Sequence, residues 1–137
     1  MSEIGESFLL SPERIPGGSV KFEGDSTLLH PDLAPDVREG IAPAITRVLN
    51  GDAAEFIMMT FGPGQYLADH RAAHPITIQC LEGHISLKVG DVRYDLPPGR
   101  VAHLHPQVVH RVECPEDAPC RNVLLLTMLT GRLPETA

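Results

Sequence analysis

An all-β domain of short strands, closed as a barrel or jelly roll, is the architecture this sequence predicts, and three observations carry it. Thirteen prolines and twelve glycines punctuate 137 residues, a density that breaks helices because Pro removes a backbone donor and Gly favours turns. Between the breaks, apolar and polar residues alternate with the period of a strand that is wet on one face. No helical period of useful length is found beyond a turn or two around Asp32 to Gly40.

The elements follow in order. Residues 1–40 carry Pro12, Pro16, Gly17, Gly18, Pro31 and Pro35 and read as an irregular arm with one or two strands, such as Ser19 to Glu23, packed on the barrel or on a partner subunit. The barrel spans 41–130 and a short tail spans 131–137. Ala44 to Leu49, Asn50-Gly51 and Glu55 to Phe61 form a hairpin signal, because Asn-Gly readily takes positive φ. After the Gly62-Pro63-Gly64 loop, strands are expected at Pro75 to Leu81, His84 to Val89, Val92 to Leu96, Arg100 to Leu104, Val108 to Glu113 and Arg121 to Leu129. Eight strands at this spacing suit a barrel or jelly roll. A chain of this length forms one core that buries about two-thirds of its unfolded surface.

Composition excludes several function classes. A net charge of −7 with only 11 scattered Lys and Arg disfavours a nucleic-acid partner, whose phosphates need clustered cations. The acidic start lacks the basic and apolar regions of a secretory signal, and no segment is long enough to span a bilayer. Cys80, Cys114 and Cys120 are an odd number without a CxxC pair, which fits reduced thiols; a Cys114–Cys120 pair across Pro115 to Pro119 is the less favoured option. A cytoplasmic location is the expectation. No phosphate-binding loop and no Gly-x-Ser-x-Gly elbow is present.

Six of the seven histidines lie between His70 and His110. Gathered on short strands, imidazoles suggest a lined cavity, since neutral imidazole is the commonest metal ligand and titrates near physiological pH. Alternation puts Ile85, Leu87 and Val89 on one face and His84, Ser86 and Lys88 on the other, so His84 reads as a surface residue. Ile76, Ile78 and Cys80 share a face, and His70 and His74 share their parity if that strand extends backwards. Cys80 is then a thiol near the site or simply a small hydrophobe. Met58, Met59 and Phe61 read as core or cavity lining, Asp69 and Arg71 as outward neighbours of His70, and His30 as structural or exposed.

These residues resemble the cupin family of small jelly-roll barrels. Its first motif is Gly, five residues, His-x-His, three or four residues, Glu, six residues, Gly; here Gly64, His70 and Gly83 stand at matching positions. Its second runs Gly, five residues, Pro-x-Gly, two residues, His, three residues, Asn; here Gly99 and His110 match. The resemblance covers Ala42 to Leu129. It implies a four-ligand site, of which His70 and His110 remain, while Ala72 takes the second His position and Ile76 (or Thr77 under the longer spacing) the Glu position. His105, Gln107 and Cys114 replace the Pro, Gly and Asn of the second motif.

Two readings follow. In one, His74 and His103 or His105 join His70 and His110 in a rebuilt set for a divalent Zn, Fe, Ni or Cu ion. In the other, Ala72 and Ile76 make the floor apolar, and His70 and His110 hold an organic ligand by hydrogen bonding or acid–base chemistry. Each of His103 and His105 taken alone is more often a hydrogen-bonded filler. The leading expectation is a small-molecule ligand in a cavity lined by His70, His74, His103, His105 and His110, with a metal-dependent enzyme of dioxygenase, isomerase or decarboxylase type and a metal-free sensor as the alternatives. The resemblance also implies a homodimer, with the arm covering a free sheet edge.

Overall fold

A computed structural model of the chain describes residues 8–10, 15, 17 and 24–131. Ten strands are found among them: β1 (Phe8–Leu10), β2 (Ala44–Gly51), β3 (Ala54–Phe61), β4 (Tyr66–Ala72), β5 (Ile76–Glu82), β6 (Ile85–Val89), β7 (Val92–Leu96), β8 (Val101–Leu104), β9 (His110–Glu113) and β10 (Asn122–Met128). They form two five-stranded sheets, ordered β1-β4-β9-β6-β7 and β2-β3-β10-β5-β8. The pairings are antiparallel except β1 with β4. No helix among the described residues is long and apolar enough to cross a membrane.

Alternation builds the core between the sheets. Ile57, Met59 and Phe61 of β3, Ile76, Ile78 and Cys80 of β5, and Leu124, Leu126 and Met128 of β10 face Leu67, Ile85, Leu87, Leu96 and Val112 of the other sheet in one buried cluster. Residues two apart on a strand point the same way, so each strand supplies a row of apolar side chains. The outer face of the second sheet carries a smaller cluster, Val48, Met58 and Val123, covered by Leu29, Leu33 and Ala34 of the arm. Arg121 fixes that cover by donating to the carbonyls of Pro31 at 2.9 Å and Pro35 at 3.4 Å.

Four local expectations are corrected. Tyr66–Ala72 is a strand of its own, and it belongs to the sheet opposite β5. The chain bends at residues 73–75 to cross between sheets, so the parity argument that aligned His74 with His70 and Ile76 does not hold. The β2–β3 hairpin reverses at Asp52-Ala53, with Ala53 at φ 58, because Gly51 still pairs with Ala54. A reversal at Asn50-Gly51 would set Ile45 opposite outward-facing Phe56; the observed register pairs Ile45 with Met59, and the inward-facing set selects it. Among the described residues of the arm, helical structure is a single 3-10 turn, Pro31–Leu33. The strand expected at Ser19 to Glu23 lies outside the described residues.

Candidate functional site

His70 and His110 are paired across the β4–β9 ladder, and a bulge decides where they point. Leu67 and His70 are three residues apart, so strict alternation would send them to opposite faces. The register shift between Leu67 and His70 absorbs the extra residue. It leaves Ala68 and Asp69 exposed and turns His70 inward with Leu67 and Ala72. His70 is 0% and His110 1% exposed, and their ring centroids are 4.1 Å apart at an interplanar angle of 60°.

Backbone carbonyls fix both tautomers. Nδ1 of His70 lies 2.8 Å from the Ala68 carbonyl, and Nδ1 of His110 lies 3.0 Å from that of Val108. A carbonyl only accepts, so each Nδ1 carries the proton and each Nε2 presents a lone pair. Burial, reinforced by the neighbouring His110 ring and opposed by the Ala68 bond, lowers the His70 pKa to about 4. Burial also lowers that of His110, against the Val108 carbonyl and the Asp69 carboxylate. Both rings are therefore neutral near pH 7. Nε2 of His110 is buried and has no hydrogen-bond partner among the described residues, an uncommon state for an interior polar atom.

The remaining site candidates are placed as follows. Ala72, Ile76 and Cys80 are buried in the core cluster, so the two lost ligand positions are apolar floor. Cys80 donates to the Glu82 carbonyl at 3.3 Å, and burial raises its pKa, which keeps the thiol protonated and poorly nucleophilic. His103 and His105 flank Leu104, which packs on the core, and both are exposed. Their ring centroids are 5.7 Å apart, and Nδ1 of His103 is bonded to the Ile76 carbonyl at 3.0 Å. His74 sits half-buried in the 73–75 bend. His84 is partly exposed beside Asp95, at 3.8 Å.

Of the histidine set, then, the structure brings together His70 with His110, and separately His103 with His105. The donor chemistry of the inner pair suits a metal in one respect, since a ligating imidazole usually donates its other N–H to a carbonyl. It fails in another: no group of three His, Cys, Asp or Glu that could hold a metal occurs among the described residues, and Zn-type sites take at least three protein ligands. The described residues do not fit a resident metal.

The loop before His110 shows how a lost motif residue is replaced. Gln107 stands where the family pattern has Gly, yet it keeps a left-handed backbone with φ 68. Its N–H donates to the Ala72 carbonyl at 2.8 Å, and its side-chain oxygen accepts from Arg71 at 2.8 Å. Those bonds hold a conformation that costs a non-glycine residue roughly 1 kcal/mol.

Beside the histidine pair the sandwich opens. β7 and β8 are the terminal strands of the two sheets, and between them lies a cleft of about 670 Å³. Its inner wall is Leu87, Val89, Tyr94, Leu96, Ala102 and Leu104, and its rim carries Arg93, Asp95, Arg100 and His103. The β6–β9 register pairs Leu87 with Val112 and Lys88 with Arg111, and the same register continued by one residue would set Val89 level with His110. Along that register the wall leads toward the buried imidazoles, which are not themselves part of the lining. Sequence reasoning missed Tyr94 and Arg100. The signal was the Val92, Tyr94, Leu96 row beside the Pro97-Pro98-Gly99 turn, whose edge position only the sheet order reveals.

Residues 57–126 match the family model of the cupin domain. No curated protein sequence matches the chain. Among solved structures, a cupin superfamily protein from Desulfitobacterium hafniense is similar, with a TM-score of 0.59, 16% identity, and coverage of 71% of this chain and 84% of that one. An RmlC-like cupin from Shewanella frigidimarina gives a TM-score of 0.60 at 17% identity, over 79% and 94% of the two chains. A Streptococcus pyogenes protein of unknown function gives 0.60 at 12% identity, over 83% and 96%. At these identities the structural likeness concerns the fold alone.

Proposed function

The chain belongs to the cupin domain family, and we propose that its barrel binds a small organic ligand, held without a metal by the neutral imidazoles of His70 and His110. The observation that carries this is the buried acceptor Nε2 of His110, which has no partner among the described residues and stands beside the wall of an open apolar cleft. Interior polar atoms are nearly always bonded, and an O–H or N–H on a ligand entering from the cleft supplies the donor. A cleft of about 670 Å³ lies within the usual range of small-molecule sites, roughly 300–1,000 Å³. As a neutral imidazole, His110 accepts a hydrogen bond from a hydroxyl, amide or protonated acid.

As part of the same proposal, the protein works as a cytoplasmic homodimer without nucleic-acid or membrane partners. The net charge of −7 supports the absence of a nucleic-acid partner through repulsion of phosphate, and three free cysteines support a reducing compartment.

Thermal unfolding of wild type and His110→Phe in the presence of a panel of small hydroxy and carboxy compounds tests the function. At least one compound is expected to raise the wild-type Tm, by the equivalent of about 2.7 kcal/mol at a hundredfold excess over Kd, and to lose most of that effect in the variant. A panel in which every compound acts equally on both proteins contradicts the proposal.

A further inference from the structure

We infer that the β7–β8 cleft selects an amphipathic monocarboxylate, seating an apolar body against Leu87, Tyr94, Leu96 and Ala102 and the carboxylate at Arg100. This rests on the ligand-binding proposal above and names the ligand class. Three features lead to it.

The first is the shape and chemistry of the wall. Its inner residues are the inward rows of β6, β7 and β8, and they continue the core outward between the two free sheet edges. Tyr94 is 48% exposed, although it shares a face with buried Leu96, so apolar surface that points inward is left uncovered. Burial of such surface favours binding, and a ligand with an apolar body obtains it.

The second is the rim. Four charged or titratable groups stand there, and three are engaged with one another or with neighbours. Arg93 is bonded to Glu113 at 2.5 Å and to Ser86 at 3.2 Å. Asp95 lies 3.8 Å from His84, and His103 is bonded to the Ile76 carbonyl. The Arg100 side chain makes one bond, to the Asp95 carbonyl at 3.1 Å, and no carboxylate lies within ion-pair distance of it among the described residues. A guanidinium anchored by one N–H keeps its other donors for a planar anion, and it binds a carboxylate in a bidentate manner. A rim guanidinium with no carboxylate in ion-pair distance among the described residues favours an anionic headgroup.

The third is depth. Continuing the β6–β9 register one residue past the Lys88–Arg111 pair brings Val89, in the cleft wall, level with His110. A molecule fixed at Arg100 by its acid group extends its body inward toward the histidine pair, where a hydroxyl or amide on that body meets the Nε2 acceptor.

The test is isothermal titration calorimetry of the full chain with octanoate and with 1-octanol, on wild type, Arg100→Gln and Ala102→Leu. Octanoate is expected to bind about fivefold more tightly than 1-octanol, the worth of one solvent-facing ion pair. Arg100→Gln, an exposed position, is expected to erase that preference while leaving 1-octanol unchanged, and Ala102→Leu, which narrows the cleft, to weaken both. Equal binding of the two probes, a preference that survives Arg100→Gln, binding indifferent to Ala102→Leu, or no binding of either probe overturns the inference. The ligand-binding proposal is judged separately by the His110→Phe contrast, in which Arg100 plays no part.

Discussion

At the scale of single residues, the two inner imidazoles carry a stability cost alongside the recognition role proposed for them. His70 titrates at about 4 in the folded chain against 6.5 for the ordinary group. Between those values the unfolded chain binds the proton and the folded chain does not, so stability falls as the pH drops through the window. The loss for His70 reaches about 3 kcal/mol near pH 4 and is absent above pH 6.5; His110, shifted in the same direction, adds to it. Urea denaturation at pH 7 and pH 4.5 measures this, and His70→Phe is expected to flatten the dependence. Gln107 gives a second residue-scale prediction. Gln107→Gly relieves the left-handed strain at φ 68 but gives up the Arg71 bond, for a net gain of about 0.5 kcal/mol, measured as a rise in the denaturant midpoint. His70 and His110 were legible in the sequence because the family spacing names them. The role of Gln107 was not, since only backbone coordinates show that a non-glycine residue holds the glycine conformation.

At the scale of elements, one buried side chain joins three loops. Asn122, at the start of β10, is fully buried. It donates to the carbonyls of Phe61 at 3.1 Å and Pro119 at 2.8 Å, and it accepts from the His84 N–H at 2.9 Å. Gly83, at φ +83, approaches it so closely that a Cβ there would run into the Asn122 side chain. Asn122→Ala is expected to cost about 3 kcal/mol by stranding three backbone groups, read as a lower urea midpoint with unchanged slope. The strands from β5 to β10 were legible from alternation bounded by Gly and Pro. β4 was not: its bulge at Ala68-Asp69 breaks the alternation that reveals a strand, and it is this bulge that points His70 inward. The His74 argument failed for the related reason that residues 73–75 carry the chain to the other sheet, and side-chain parity has no meaning across a change of sheet.

At the scale of the molecule, the jelly roll is closed by its arm on one outer face and open between β7 and β8. That asymmetry puts the cleft proposed as the ligand entrance away from the Val48, Met58 and Val123 cluster. The open side was illegible in the sequence, because edge positions are set by pairings between strands distant along the chain. Thiol chemistry follows the same inside–outside division. Cys80 and Cys114 are buried and Cys120 is exposed, and burial pushes the Cys114 pKa up to about 11. A thiol reagent is therefore expected to label one cysteine in the native protein and three after denaturation. The two-imidazole donor set predicts, in addition, that a strong chelator leaves the Tm unchanged.

The central claim is that His70 and His110 hold an organic ligand as neutral hydrogen-bond acceptors. A long-range proton–nitrogen NMR spectrum of their rings at pH 7, recorded alone, with equimolar Zn²⁺, and with a compound that stabilises wild type but not His110→Phe, tests it most directly. The expected result is two neutral rings protonated at Nδ1, whose Nε2 resonances move with the compound and ignore the metal. Nε2 resonances that move with stoichiometric Zn²⁺, or rings already protonated at both nitrogens at pH 7, would contradict it.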